Sequence, residues 1–260
     1  MKYYLRRISA FYRGNFANHG VLGVIRTTFA LLIMALVPIA SQLGSRGKHC
    51  PCCGWQGARF MPFLATGYIS FNRRCPKCQS APRHRAHRIF YEKNLDLMHQ
   101  KGKLLYFAPE SNIDYLQTND GLEIKTSNYP DGEADLHLDI MNMSIPDNSF
   151  DYIICHRVIE HLPDDRYGMK EFYRILKPGG IAVISVPINL DMQESIEYGE
   201  ANPLENEHFY HYGLDFSSRI PQEFVIQSHK FTDTFSESEF DRLSLLEDYI
   251  FVCKKPPANE

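Results

Sequence analysis

Apolar residues fall along this chain in two patterns. Short unbroken runs, at Leu104–Phe107, Tyr152–Cys155 and Ile181–Val186, are too brief for helices and are bounded by polar turns. Such runs predict buried parallel strands. Between the last two, Met169, Phe172, Tyr173 and Leu176 recur at helical spacing from an Asp164-Asp165 start, and Pro178-Gly179-Gly180 ends that run. Strand, helix and strand make a right-handed crossover of a doubly wound sheet. Leu122–Thr126 and Ala134–Ile140 supply two more strands, and Phe224–Phe231 with Tyr249–Lys254 reads as a closing antiparallel pair. The pattern predicts an α/β fold with a seven-stranded sheet, its last pair antiparallel, over residues 92–260. Ligands of such sheets sit outside the carboxyl ends of the strands. That places His156, Arg157, Glu160 and His161 in a cleft, with the long irregular segment after Pro187 as its lid.

The first 45 residues follow another pattern. Tyr4, Leu5, Ile8, Phe11 and Tyr12 fall on one helical face, while Lys2, Arg6, Arg7 and Arg13 lie mostly elsewhere. A basic amphipathic helix suits a membrane interface. Asn18 to Gly20 break it. Thr27–Ser45 then runs nineteen residues without a charge, densest from Phe29 to Ala40 and interrupted by Pro38. That dense part is short for a span, and a single span would put the basic arm on the outer side, against the positive-inside bias. Residues 1–45 are expected to form a shallow or re-entrant anchor on an anionic membrane. A helix packed on the protein or on a second subunit, and a true span, are the alternatives.

Charge divides the chain at one point. The formal net charge is −3, yet the first acidic residue is Glu92, so all 31 acidic and half of the 28 basic residues lie at or beyond it. The basic part calls for a polyanion: a membrane surface, a nucleic acid, or the acidic half itself. Within it, Cys50, Cys53, Cys75 and Cys78 form two C-x-x-C knuckles separated by twenty-one residues. This spacing lets four thiolates meet one tetrahedral zinc ion in a ribbon-like module over residues 46–91. Cys52 is the spare. An odd total of seven cysteines argues against a secreted disulfide framework. Arg83-His84-Arg85 begins either an anion-binding edge or a solvated helix.

Phe150, Asp151, Glu160, His161, Phe172, Arg174, Leu176, Lys177, Pro178, Gly179 and Gly180 resemble the pattern FD…EH…R-x-LKPGG of the class I S-adenosylmethionine-dependent methyltransferases, of the type 11-like kind. The Cys50-x-x-Cys53-Gly54, Cys75-Pro76-x-Cys78-x-Ser80 and Arg83-His84-Arg85 letters resemble a bacterial subgroup with an N-terminal four-cysteine module. The resemblance implies a Rossmann-like methyltransferase sheet, S-adenosyl-L-methionine as cofactor and structural zinc. It implies cofactor contacts from Phe107, Ala108, Glu110, Asn128, Asp139, Ile140, Met141 and His156. Asp139 would accept from the adenine amino group, and Ile140 and Met141 would pack on the ring. The first turn departs from the usual Asp-x-Gly-x-Gly. Tyr106 stands for the acid, Ala108 and Glu110 for glycines, and Asn128 replaces the acid that grips the ribose.

A hydroxyl or nitrogen acceptor benefits from a base, and histidine titrates near neutrality. His156, His161, His208 and His211 are candidates, with His156 and His208 preferred. The expected activity is methyl transfer to an oxygen or nitrogen of a glycan, lipid-linked or other small acceptor. The expected place is the cytoplasm, at the inner face of the cytoplasmic membrane. An RNA methyltransferase gripping its substrate through the zinc module, and a non-catalytic cofactor-binding or interaction protein with a degenerate first motif, are the competing readings.

Overall fold

The computed structural model describes residues 2–43, 47–65, 68–110 and 115–258. The boundary expected at residue 45 falls outside them. The chain forms two compact units, Met1–Leu95 with Phe235–Leu246, and Asp96–Thr234 with Glu247–Glu260.

The first unit opens with a long helical stretch, α1 (Lys2–Leu43), in which Gly20 departs from helical geometry at φ 60° and ψ −144°. The Tyr12 hydroxyl lies 2.9 Å from Oγ1 of Thr28. Sixteen residues of straight helix would hold these groups about 24 Å apart, so the chain reverses at Gly20 into a helical hairpin. Gly23 is required where the arms cross, since a Cβ there would lie 2.0 Å from the Asn15 carbonyl oxygen. Ala30 and Thr27 are buried on one face, and the second arm packs on the strands Met61–Ala65 and Tyr68–Arg74. Val21, Leu22, Ile25, Phe29, Leu32 and Leu36 are each more than half exposed. By composition Ile8–Val37 is long and apolar enough to cross a membrane, but the reversal leaves two shorter arms.

Two small antiparallel pairs follow: β1 (Lys48–His49) with β2 (Gln56–Gly57), and β3 (Met61–Ala65) with β4 (Tyr68–Arg74). The helix α2 (Pro82–Lys93) begins with proline at its first turn, where no amide hydrogen is needed.

In the second unit the strands β5 (Gly102–Phe107), β6 (Leu122–Ser127) and β7 (Phe150–His156) are parallel neighbours. The helix α3 (Asp165–Ile175) is capped by Asp164, which accepts from the Tyr167 amide, and leads into β8 (Leu176–Ser185). A hairpin of β9 (Ile196–Asn202) and β10 (His208–His211) and the strand β11 (Val225–Lys230) follow. The short helix α4 (Phe231–Thr234), and α5 (Glu237–Leu243) of the first unit, precede the last strand, β12 (Tyr249–Lys254). The central sheet has six strands in the order β11-β12-β8-β7-β5-β6, with β11 and β12 antiparallel. Leu105, Phe107, Ile153 and Cys155 face a core that includes Met169 and Phe172 of α3.

Three expectations are corrected. The sheet has six strands, not seven, because Ala134–Ile140 pairs only through the bridge Ser127–Leu136. There the Asp135 carboxylate accepts from both the amide and the hydroxyl of Thr126, at 2.8 Å each, so a side chain takes a main-chain donor that a ladder would use. Next, β8 starts at Leu176 rather than Ile181. Pro178-Gly179-Gly180 forms a bulge between the pairs Phe150–Leu176 and Tyr152–Ile181, with Gly179 at φ 82°. Finally, the segment after Pro187 is not irregular throughout: 196–211 folds as the β9–β10 hairpin. The sequence also puts 235–246 in the acidic domain, whereas these residues group with the first unit.

Candidate functional site

A cleft of about 690 Å³ opens at the carboxyl ends of β5, β6 and β7, within the usual size of small-molecule sites. Phe107 and Ala108 follow from β5. Ala108 adopts φ 45°, and its amide donates to the Ser127 carbonyl at 2.7 Å. A left-handed residue here lets the backbone turn sharply under a ligand, which glycine does without strain. Asn128 enters from the end of β6, its side-chain amide held 3.1 Å from the Glu133 carbonyl. Asp139 caps a short 3₁₀ turn, accepting from the Met141 amide at 2.9 Å through Oδ1. Ile140, Met141, Val158 and Leu162 give apolar walls.

Of the residues expected to touch cofactor, Phe107, Ala108, Asn128, Asp139, Ile140 and Met141 line this cleft. Two do not. Glu110 is half-buried just before residues 111–114, which lie outside those described. His156 is 2 % exposed, sits 2.8 Å from the Ser185 hydroxyl through Nδ1, and meets Tyr106 edge-on. Alternation along β7 and β5 sends His156 and Tyr106 to the sheet face opposite Cys155 and Phe107. Arg157, which the sequence places in the cleft, does line it, at φ 57° and paired with Asp248. Its left-handed backbone carries no sequence signal, since the residue is not glycine.

At the edge of the cleft stands a polar trio. One ligand-type atom each of Glu160, His161 and His208 lies within 4.8 Å of the others. The two rings meet edge-to-face with centroids 4.7 Å apart. Burial lowers the pKa of both histidines, and for His208 the charges of His161 and Arg157 add to this while Glu205 opposes it. Both imidazoles are therefore neutral near pH 7. The hairpin is held against this turn by a buried network. Arg219 donates to both oxygens of Asp165, at 2.5 and 2.9 Å, and Tyr212 donates to Asp165 at 3.0 Å. Tyr210 donates to the Pro163 carbonyl at 3.0 Å.

In the first unit the Sγ atoms of Cys50 and Cys78, and of Cys53 and Cys75, are 3.6 Å apart, and all four lie within 4.8 Å. A tetrahedral ion with Zn–S near 2.3 Å sets its ligands about 3.8 Å apart, so the donor set fits zinc. Cys52 stays outside, 3.6 Å from the His84 carbonyl. The thiols of Cys52, Cys75 and Cys78 and the Ser80 hydroxyl lower the pKa of Cys50, against the effect of its burial. Arg85 is fully buried beside them, with its guanidinium 3.9 Å from the Phe60 ring centre. It donates to the carbonyls of Leu243 at 2.6 Å, Ser80 at 2.7 Å and Arg73 at 3.0 Å. That guanidinium is committed to backbone and is not an anion-binding edge.

Residues 114–184 match the family model described as a methyltransferase domain. The chain is 44 % identical over 48 residues to the demethylmenaquinone methyltransferase of Staphylococcus epidermidis, covering 18 % of this chain and 20 % of that one. It is 35 % identical over 79 residues to the enzyme of the same name from Listeria welshimeri, covering 28 % and 33 %. The match thus spans a fifth to a third of those relatives. The crystal structure of the [4+2]-cyclase SpnF is similar at a TM-score of 0.50 and 13 % identity, covering 88 % of this chain and 96 % of that one; this likeness concerns the fold.

Proposed function

We propose that the chain is an S-adenosylmethionine-dependent methyltransferase that methylates an oxygen or nitrogen of a glycan, lipid-linked or other small acceptor at a membrane face; the match of residues 114–184 to a methyltransferase domain supports this. The observation that carries this reading is the convergence of Ala108, Asn128 and Asp139, from three successive turns, on one cleft. Asp139 spends one oxygen on the Met141 amide and keeps the other for an amino donor. Asn128 offers a neutral amide to a hydroxyl, and Ile140 and Met141 offer apolar faces to a flat ring. Ala108 brings backbone close. When bound, S-adenosylmethionine supplies a methyl group activated on a sulfonium. The chain's own part is to hold the acceptor in line and keep water out. The hairpin carrying His208 serves the second task. The neutral His161 and His208 imidazoles, at the acceptor end, receive the proton that a hydroxyl or amine sheds.

The membrane-face part is supported by the exposed apolar stripe from Val21 to Leu36 and by the basic residues Lys2, Arg6, Arg7 and Arg13 on the same segment. The acceptor named by the matched relatives is demethylmenaquinone. In the first unit the four cysteines hold structural zinc, with no ligand position left for substrate. Calorimetric titration with S-adenosylmethionine tests the cofactor assignment. Saturable binding weakened at least about tenfold in Asp139→Ala is expected. Absence of binding to folded, zinc-loaded protein would overturn it.

A further inference from the structure

We propose that Glu160, His161 and His208 hold a divalent first-row transition ion at the acceptor end of the cleft. Two imidazoles and one carboxylate are a borderline nitrogen–oxygen donor set, suited to Mn²⁺, Fe²⁺ or Zn²⁺ rather than to Ca²⁺. Their ligand atoms lie within 4.8 Å of one another, a spread that small side-chain rotations close around one ion.

Three further features fit a metal site better than a packing cluster. Glu160 is 1 % exposed, which places its carboxylate out of bulk water, where its attraction for a cation is screened less. The main chain of Glu207 lies close to the His161 ring, and a backbone carbonyl is an ordinary partner for the second nitrogen of a metal-ligating histidine. Finally, Asn206 and Glu207 are both left-handed, at φ 56° and 63°. Two successive non-glycine residues in that region store strain, which persists where surrounding structure needs the geometry. Here it aims the Glu207 main chain at His161 and delivers His208 beside it. The trio draws on two elements, the turn after β7 and the start of β10. The Asp165–Arg219–Tyr212 network fixes their approach.

Three protein ligands leave open positions, which would take an oxygen of the acceptor and lower the pKa of a bound hydroxyl. Loading the ion engages both imidazoles, so loaded and ion-free protein differ in how the acceptor proton leaves. This inference deepens the methyl-transfer reading and rests on it only for the identity of the metal-bound acceptor. Ion binding is read without turnover.

Mn²⁺ is the probe, because it binds thiolates weakly and leaves zinc at the four cysteines undisturbed. Full-length, zinc-loaded protein is titrated with Mn²⁺ while free ion is followed by electron paramagnetic resonance. One ion per chain is expected, with affinity lowered at least about tenfold in both His161→Gln and His208→Gln. On the wild-type protein, electron spin-echo modulation should show directly bound imidazole nitrogen, a readout that stands even if a variant fails to fold. No saturable binding, or bound Mn²⁺ without nitrogen coupling, would overturn the site. So would affinity unchanged in both folded variants. Retained S-adenosylmethionine binding alongside such a failure would leave the methyltransferase reading intact.

Discussion

Asp151 shows why a motif residue need not touch substrate. Its carboxylate accepts from the Lys103 amide at 2.8 Å and from Nζ of Lys177 at 2.7 Å. It thereby ties β5, β7 and β8 together at the end away from the cleft. Burial raises its pKa, but Lys177 and the Lys103 amide outweigh this and the net shift is downward. A carboxylate depressed in the folded state contributes stability that is present above the unfolded value near 3.9 and lost as pH falls through the folded value. Asp151→Asn should therefore lower the melting temperature at pH 7, with the gap to wild type closing below about pH 4; an unchanged gap would count against the linkage. Arg174 likewise donates to the carbonyls of Ile145 and Met143 and to Asp147 and Glu171. The motif was legible because these staples need particular side chains at particular spacings. Ala108 is the opposite case. Its φ of 45° costs about 1 kcal/mol relative to glycine, so Ala108→Gly should raise the melting temperature slightly, as calorimetry would register.

Two hairpins dominate at the scale of elements. The β9–β10 hairpin depends on a buried ion pair, Asp165 with Arg219. Removing one partner strands the other charge, a loss of about 3–5 kcal/mol. Arg219→Met should show that loss in urea unfolding, and hydrogen exchange should rise first over 196–211. The helical hairpin of α1 turns on Gly20 and crosses at Gly23. Its apolar stripe is the surface to test for membrane contact: Ile25→Glu with Leu32→Glu should abolish co-sedimentation with anionic liposomes while S-adenosylmethionine binding is kept. Equal sedimentation of the variant would remove the membrane from the proposal. The sequence marked a break at Asn18–Gly20, but a break does not say whether the next helix continues or folds back. The Tyr12–Thr28 contact decided that.

For the molecule as a whole, the partition of charge has a partial structural answer. Phe235–Leu246, from the acidic half, joins the basic first unit. Lys48 pairs with Asp241 at 2.6 Å and Lys93 with Glu239 at 2.5 Å. Asn72 donates to the Ser244 hydroxyl at 2.9 Å, and Arg85 grips the Leu243 carbonyl. Trp55, the one tryptophan, packs on Phe60 with ring centroids 5.2 Å apart, beside the cysteines. Chelating zinc should therefore shift its emission to the red at temperatures where the sheet of the second unit still gives its circular dichroism. Coincident loss of both signals would mean that the units unfold together.

The sequence by itself determined the parallel α/β core, the methyltransferase motif, the four-cysteine knuckles and the break in the N-terminal helix. Each is a local regularity: a period, a spacing, a punctuating Pro or Gly. It also named most of the cleft-lining residues, because they follow strands at fixed offsets. Tertiary structure alone decided what depends on faces and on distant partners. Strand alternation took His156 out of the cleft. One side chain, Asp135, reduced a predicted strand to a bridge. Arg85, which the sequence leaves between an anion contact and a solvated helix, is buried on backbone carbonyls from a segment about 160 residues away. The Glu160–His161–His208 trio joins residues 47 positions apart, a proximity that chain periodicity does not encode.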